Sequence, residues 1–143
     1  MTKKTSKTKA SFEKQRQGYK AAIKGKDFEK KIGVFLSKRG YKIDYEKPIC
    51  KGSKEKFDVF GIMYDELGYE EYCIAECKDK PRVTATDVLS FMSKLREFYK
   101  RLPVYDLDEK PEVLGLFAYT GELPRDARNA AKGFRPTIKF KEF

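Results

Sequence analysis

Asp58 and, after seventeen intervening residues, the pair Glu76 and Lys78 have the types and spacing to do chemistry, because Glu76 and Lys78 close an apolar run, Tyr72-Cys73-Ile74-Ala75. Two acids and a lysine emerging from a buried strand cost several kcal/mol unless they are paired, hydrogen-bonded or bound to a cation. Strand side chains alternate, so Glu76 and Lys78 point to one face and Cys77 to the other, and three charged groups converge if the strand of Asp58 lies alongside. A hard divalent cation prefers oxygen ligands, polarises a phosphate ester and lowers the pKa of bound water; a lysine nearby orients that water or balances the charge on the phosphate. Asp58 and Glu76 are therefore candidate ligands for Mg²⁺ or Mn²⁺, with Lys78 beside them. The bland alternative is an exposed strand-end ion pair between Glu76 and Lys78, with Asp58 capping a turn. The chain has no histidine, so acid-base work falls to carboxylates, lysine, tyrosine or metal-bound water.

The elements that must position these groups are legible in the hydrophobic pattern. Phe28, Ile32, Phe35 and Leu36 recur at helical spacing, with Asp27 as a suitable N-cap and Gly40 as a stop, which predicts a helix over 27–39 with Glu29 bordering its buried stripe. Residues 41–49 read as a strand, followed by a Lys-rich loop carrying Lys51 and Lys54. Residues 57–64 are apolar on both faces apart from Asp58, as in a central strand, and a further strand covers 72–78. Thr84 and Asp87 form a capping-box pattern, and Val88, Met92, Leu95, Tyr99 and Leu102 follow at helical spacing, which predicts a helix over 85–101. A strand at 113–120, a short helix opened by Pro124 and ending at Gly133, and a last strand at 137–140 complete the chain. The order α-β-β-β-α-β-α-β predicts an α/β fold, a central mixed sheet with helices on both faces.

Composition sets the boundaries. A chain of 143 residues with 40% hydrophobic content makes one domain with its own core. No apolar run is long enough to span a bilayer, and Met1–Ala10 lacks the apolar segment of a secretory signal, so a soluble cytoplasmic protein without a membrane partner is expected. Cys50, Cys73 and Cys77 have neither disulfide-framework nor zinc spacing and are expected to be reduced. The net charge of +10 is uneven: residues 1–26 hold eight Lys and one Arg against one Glu, or +8 of it. Residues 1–25 therefore read as a basic arm, with Lys3, Lys4, Lys7 and Lys9 at its tip, and 26–143 as the folded domain. Such an arm suits a polyanion, though solubilising tails and partner-docking helices look alike. Lys80 and Arg82, just past the 72–78 strand, are either phosphate contacts or solvated charges.

Asp58 with Glu76-Cys77-Lys78 resembles the core of the PD-(D/E)xK nuclease superfamily. Gly25-Lys26-Asp27-Phe28-Glu29 with Gly40-Tyr41 resembles the opening helix of its Mrr-like restriction endonuclease family, Phe57-Asp58-Val59 its first acidic strand, and Ala75-Glu76-Cys77-Lys78 its central motif. Leu116 to Thr120, then Asp126-Ala127 and Ala130-Ala131, resembles its later strand and Ala-rich helix. The likeness runs over residues 25–140 and implies a restriction-endonuclease-like core and a metal-dependent DNA endonuclease. It also implies that Glu29 assists metal binding and that the Cys77 carbonyl fills a ligand position. Phe57 stands where the superfamily name has Pro, and the loop before Asp58 lacks a Gly-Asp-Gly-like sequence. The archaeal Holliday junction resolvases share the Glu, Asp, Glu-x-Lys set and act as dimers, which makes branched DNA the alternative to duplex and the apolar residues of the 85–101 helix a possible dimer interface. Their characteristic arginine and serine have no clear match here apart from Ser53. A third reading keeps the fold and the nucleic acid but not the cutting.

Overall fold

The computed structural model describes residues 25–104 and 110–143. Three antiparallel-connected strands, β1 (Lys42–Pro48), β2 (Lys56–Tyr64) and β3 (Glu70–Lys78), are followed by helix α2 (Ala85–Lys100), strand β4 (Glu112–Tyr119), helix α3 (Arg125–Ala130) and strand β5 (Ile138–Glu142). Helix α1, over residues 25–37, precedes them. The sheet runs β1-β2-β3-β4-β5, with β1 to β3 antiparallel and β3 to β5 parallel. A mixed sheet in the expected element order is thus observed.

The two sheet faces carry separate cores, and the strand alternation assigns them. Phe28, Ile32 and Leu36 of α1 are buried against Val59, Cys73, Ala75, Leu116 and Ala118. Val88, Phe91, Met92 and Leu95 of α2 are buried on the other face with Phe57, Phe60, Ile74 and Phe117, joined by Ala127 of α3. Burial of that many large side chains fixes α1 and α2 rigidly on either side of β3, since each contributes about 1.5–3 kcal/mol. Helix α1 already includes residues 25 and 26, so Asp27 lies inside it and is not its N-cap. Its C-terminal stop is as expected, with Gly40 at φ 96. Helix α2 starts where predicted, because Thr84 and Asp87 close a reciprocal capping box.

Of the apolar residues of α2 read as a possible dimer interface, most face the sheet, while Leu89 of the same helix is exposed. Val88, Phe91 and Leu95 are wholly buried in the core, and Tyr99 and Leu102 pack partly buried against it, so these five side chains are taken up by the sheet.

Beyond the ends of β3 and β4 the chain makes a close backbone crossing. Val83 N–H donates to the Glu122 carbonyl at 2.9 Å and Glu122 N–H to the Pro81 carbonyl at 2.8 Å. A Cβ on Gly121 would lie 2.2 Å from the Lys80 carbonyl oxygen and 2.3 Å from that of Pro81, both rigid backbone atoms. Gly121→Ala is therefore expected to lower unfolding stability by about 2 kcal/mol, read as a shifted urea midpoint; an unchanged midpoint would show that the two loops separate at little cost.

Candidate active site

Strand β3 runs through the centre of the sheet, and its side chains divide as the alternation demands. Tyr72 and Ile74 enter the α2-side core, Cys73 and Ala75 the α1-side core. Glu76 continues the Ile74 face and is 5% exposed, the only buried polar or charged residue among those described. Lys78 follows on the same face with its ammonium 3.8 Å from Glu76 Oε1. Cys77 points the other way, partly buried against the α1-side core.

Asp58 reaches this group through an irregularity in β2. Phe57 and Val59 are two residues apart, which should place them on one face, yet Phe57 packs in the α2-side core and Val59 in the α1-side core. The β2–β3 pairing begins only at Val59 with Ala75, and the β1–β2 pairing skips Asp58 and Glu46. Glu46 itself has φ 50, a left-handed conformation unusual for a residue with a Cβ. Departures of this kind re-aim side chains beside active sites. Here the Asp58 carboxylate turns across to β3 and accepts the Cys77 backbone N–H at Oδ2, 2.8 Å.

Glu29 arrives from α1, one residue past the buried Phe28. Burial pushes its carboxyl up to about 7, and repulsion from Asp58 and then Glu46 adds to the effect. Glu76 is likewise pushed up to about 7, first by burial and then by Asp58, against the opposing pull of Lys94 and Lys78; a hydrogen bond that the Glu76 acid shares with Asp58 acts in the same direction as the burial. Both glutamates thus feel the charge of Asp58, although Glu29 sits on a helix and Glu76 on the adjacent strand. Burial also raises the Cys73 thiol to about 12 and the Cys77 thiol further, so both are inert thiols.

The remaining predicted residues divide. Lys51 and Lys54 are exposed on the loop joining β1 to β2, at the end of β2 that carries Asp58. Lys80 is committed to Asp87 of the α2 cap at 2.5 Å, and Arg82 lies 3.6 Å from Glu122 on the surface. Burial alone would raise the Asp87 carboxyl, but its hydrogen bonds from Lys80 and Thr84 prevail and hold it below the usual range. Lys3, Lys4, Lys7 and Lys9, with the rest of 1–24, lie outside the described residues. One residue escaped the sequence reading. Lys94 of α2 places its ammonium 3.4 Å from Glu76 Oε2 and 3.0 Å from the Lys56 carbonyl. Its only signal was a position next to the buried stripe of α2, beside Leu95, which a surface lysine shares.

No protein-family model and no curated protein matches the chain. Similar solved structures are endonucleases. One is a repair endonuclease from Pyrococcus abyssi, 20% identical, with a TM-score of 0.47 over 72% of this chain and 38% of that one. Another is MspJI Restriction Endonuclease in complex with a 27-mer oligonucleotide, 15% identical, with a TM-score of 0.40 over 92% of this chain and 27% of that one. The chain therefore spans well under half the length of either. No described helix is long and apolar enough to cross a membrane.

Among the described residues, no three His, Cys, Asp or Glu side chains converge as a ready-made metal cage. The donor chemistry nevertheless fits a hard divalent cation. Both candidate donors are carboxylates, and the acid form of Glu76 is close enough to Asp58 to hydrogen-bond with it. A buried carboxyl pushed up by its burial and by a neighbouring carboxylate is an arrangement that a bound cation relieves.

Proposed function

We propose that the chain is a divalent-metal-dependent DNA endonuclease, hydrolysing phosphodiester bonds. The observation that carries this reading is the meeting of Asp58, held by the Cys77 N–H at 2.8 Å, with the buried Glu76 and its neighbour Lys78, at the point where β2 and β3 cease to pair. A buried acid beside a second acid is expensive to keep for stability alone, and Glu76 offers nothing to the apolar core around it.

Asp58 and Glu76 would hold Mg²⁺ or Mn²⁺, with the Cys77 carbonyl as a further ligand and Glu29 assisting from α1. Bound there, the cation would supply Lewis-acid activation of the phosphate and hydroxide from water near neutral pH. The protein residues do the rest. The Asp58 hydrogen bond to Cys77 N–H fixes one carboxylate against β3, so its orientation costs nothing when the substrate arrives. Lys78, 31% exposed, faces the solvent side of Glu76 and can donate to a phosphate oxygen or to the attacking water as negative charge grows. Lys51 and Lys54 stand where a DNA backbone approaching Asp58 would pass, and the basic segment 1–25 adds sequence-independent grip. Lys80 and Arg82 would first have to leave Asp87 and Glu122 before contacting phosphate.

Incubation of the full chain with supercoiled plasmid, linear duplex, single strand and a four-way junction tests this reading. Cutting in Mg²⁺ or Mn²⁺ that stops with EDTA is expected, and the preferred substrate separates a duplex endonuclease from a junction resolvase. Tight, salt-sensitive binding with no cutting of any substrate would instead make the chain a non-catalytic nucleic-acid-binding protein on this fold.

A further inference from the structure

Glu76 is flanked by two lysines, and only Lys78 belongs to its own strand. Lys94 comes from α2, which packs on the sheet face that Glu76 shares with Ile74 and is fixed by the Thr84–Asp87 capping box and by the wholly buried Val88, Phe91 and Leu95. Its side chain is 19% exposed, against 31% for Lys78, so more of its stem lies inside the protein. The ammonium has two acceptors, Glu76 Oε2 at 3.4 Å and the Lys56 carbonyl at 3.0 Å. Lys56 opens β2, two residues before Asp58.

Three elements therefore meet at one ammonium: α2, the entry to the strand of Asp58, and the buried end of the strand of Glu76. The division between the oxygens of Glu76 matters as well, since Lys94 takes Oε2 while Lys78 lies towards Oε1. An exposed lysine paying for a buried acid would need only the carboxylate. Lys94 is also bonded to backbone on the Asp58 strand, which a simple counter-ion has no reason to be.

We infer that Lys94 is a positioning residue, holding the Glu76 carboxylate in register with Asp58 so that both face the same ion. This inference rests on the reading of Asp58 and Glu76 as a metal centre. Partners that orient a ligating carboxylate typically alter metal affinity 10- to 100-fold when removed. Lys94 acts through Glu76 and does not itself touch the reacting phosphate.

Calorimetric titration of Mn²⁺ into wild type, Lys94→Met and Lys94→Arg, with melting temperatures recorded in EDTA, tests the role. Lys94→Met keeps the length of the stem and loses the donors, so Mn²⁺ affinity is expected to fall 10- to 100-fold while the metal-free melting temperature changes little. Lys94→Arg, which retains donors to both acceptors, is expected to recover most of the affinity. Equal affinity in folded wild type and Lys94→Met would overturn the role of Lys94 and leave the metal centre standing. Absence of saturable Mn²⁺ binding in wild type would overturn both. Should Lys94→Met fail to fold, Lys94→Gln is titrated under the same criteria.

Discussion

Lys78→Met is expected to slow Mg²⁺-dependent DNA cleavage roughly 10³-fold while leaving Mn²⁺ binding within a few-fold of wild type. The lysine is half-exposed at the end of β3 and contacts Glu76 Oε1 only at 3.8 Å, too long for a strong hydrogen bond. Glu76 keeps Lys94 as a closer partner at 3.4 Å, so the fold should barely register the loss of the 3.8 Å pairing with Lys78. Transition-state charge on a phosphate in a partly dry site is a different matter. One well-placed donor there is commonly worth about 3–4 kcal/mol, which is the source of the expected factor. Single-turnover cleavage and Mn²⁺ titration on the same preparation separate the two effects. Parallel loss of metal binding and cleavage would mean that Lys78 is needed to build the site rather than to act in it. An unchanged rate would return Glu76 and Lys78 to a strand-end ion pair.

Glu76→Gln is expected to abolish cleavage yet stabilise the metal-free protein by about 2 kcal/mol at pH 8, raising its melting temperature by roughly 5 °C. The sign follows from the direction of the shift. Glu76 has a folded-state value of about 7, above the 4.5 of an ordinary glutamate, with burial as the first cause and Asp58 as the second. Folding therefore favours the protonated acid, and the stability it contributes is complete below pH 4.5 and lost as pH rises through 7. Gln is the neutral shape at every pH: its amide can donate to Asp58 and its carbonyl accept from Lys94. The wild type should lose stability in EDTA between pH 5 and pH 8 relative to Glu76→Gln, and the two should converge at pH 5. Added Mg²⁺ should raise the wild-type melting temperature at pH 8 and leave the variant where it was. A variant less stable than wild type at pH 8 in EDTA would mean that the pairing of Glu76 with Lys94 and Lys78 outweighs its burial.

The pairing of strands around the acids was legible because the signals were local and strong. The run Tyr72 to Ala75 could only be a strand buried on both faces, and β3 is the middle strand. Alternation then put Glu76 and Lys78 together before any tertiary contact was known. The alternation itself breaks at Asp58, where Phe57 and Val59 fall on opposite faces across from the left-handed Glu46, and no residue type there signals such a break. Lys94 was invisible for a related reason. Its role depends on where α2 crosses β3, and helical periodicity reports which face is buried but not what that face meets. The apolar stripe of α2 was legible as a stripe, while its partner, the sheet rather than a second subunit, was decided by packing.

Crystals of the wild type and of Asp58→Asn soaked in Mn²⁺, with anomalous scattering collected at the manganese edge, test the metal centre most directly. A single strong peak within ligand distance of the Asp58 and Glu76 carboxylates and the Cys77 carbonyl is expected in the wild type, and its disappearance or marked weakening in Asp58→Asn. No peak at that position at saturating Mn²⁺, with Glu76 still bonded to Lys94 and Asp58 to the Cys77 N–H, would contradict the assignment of these carboxylates to a metal-dependent nuclease site.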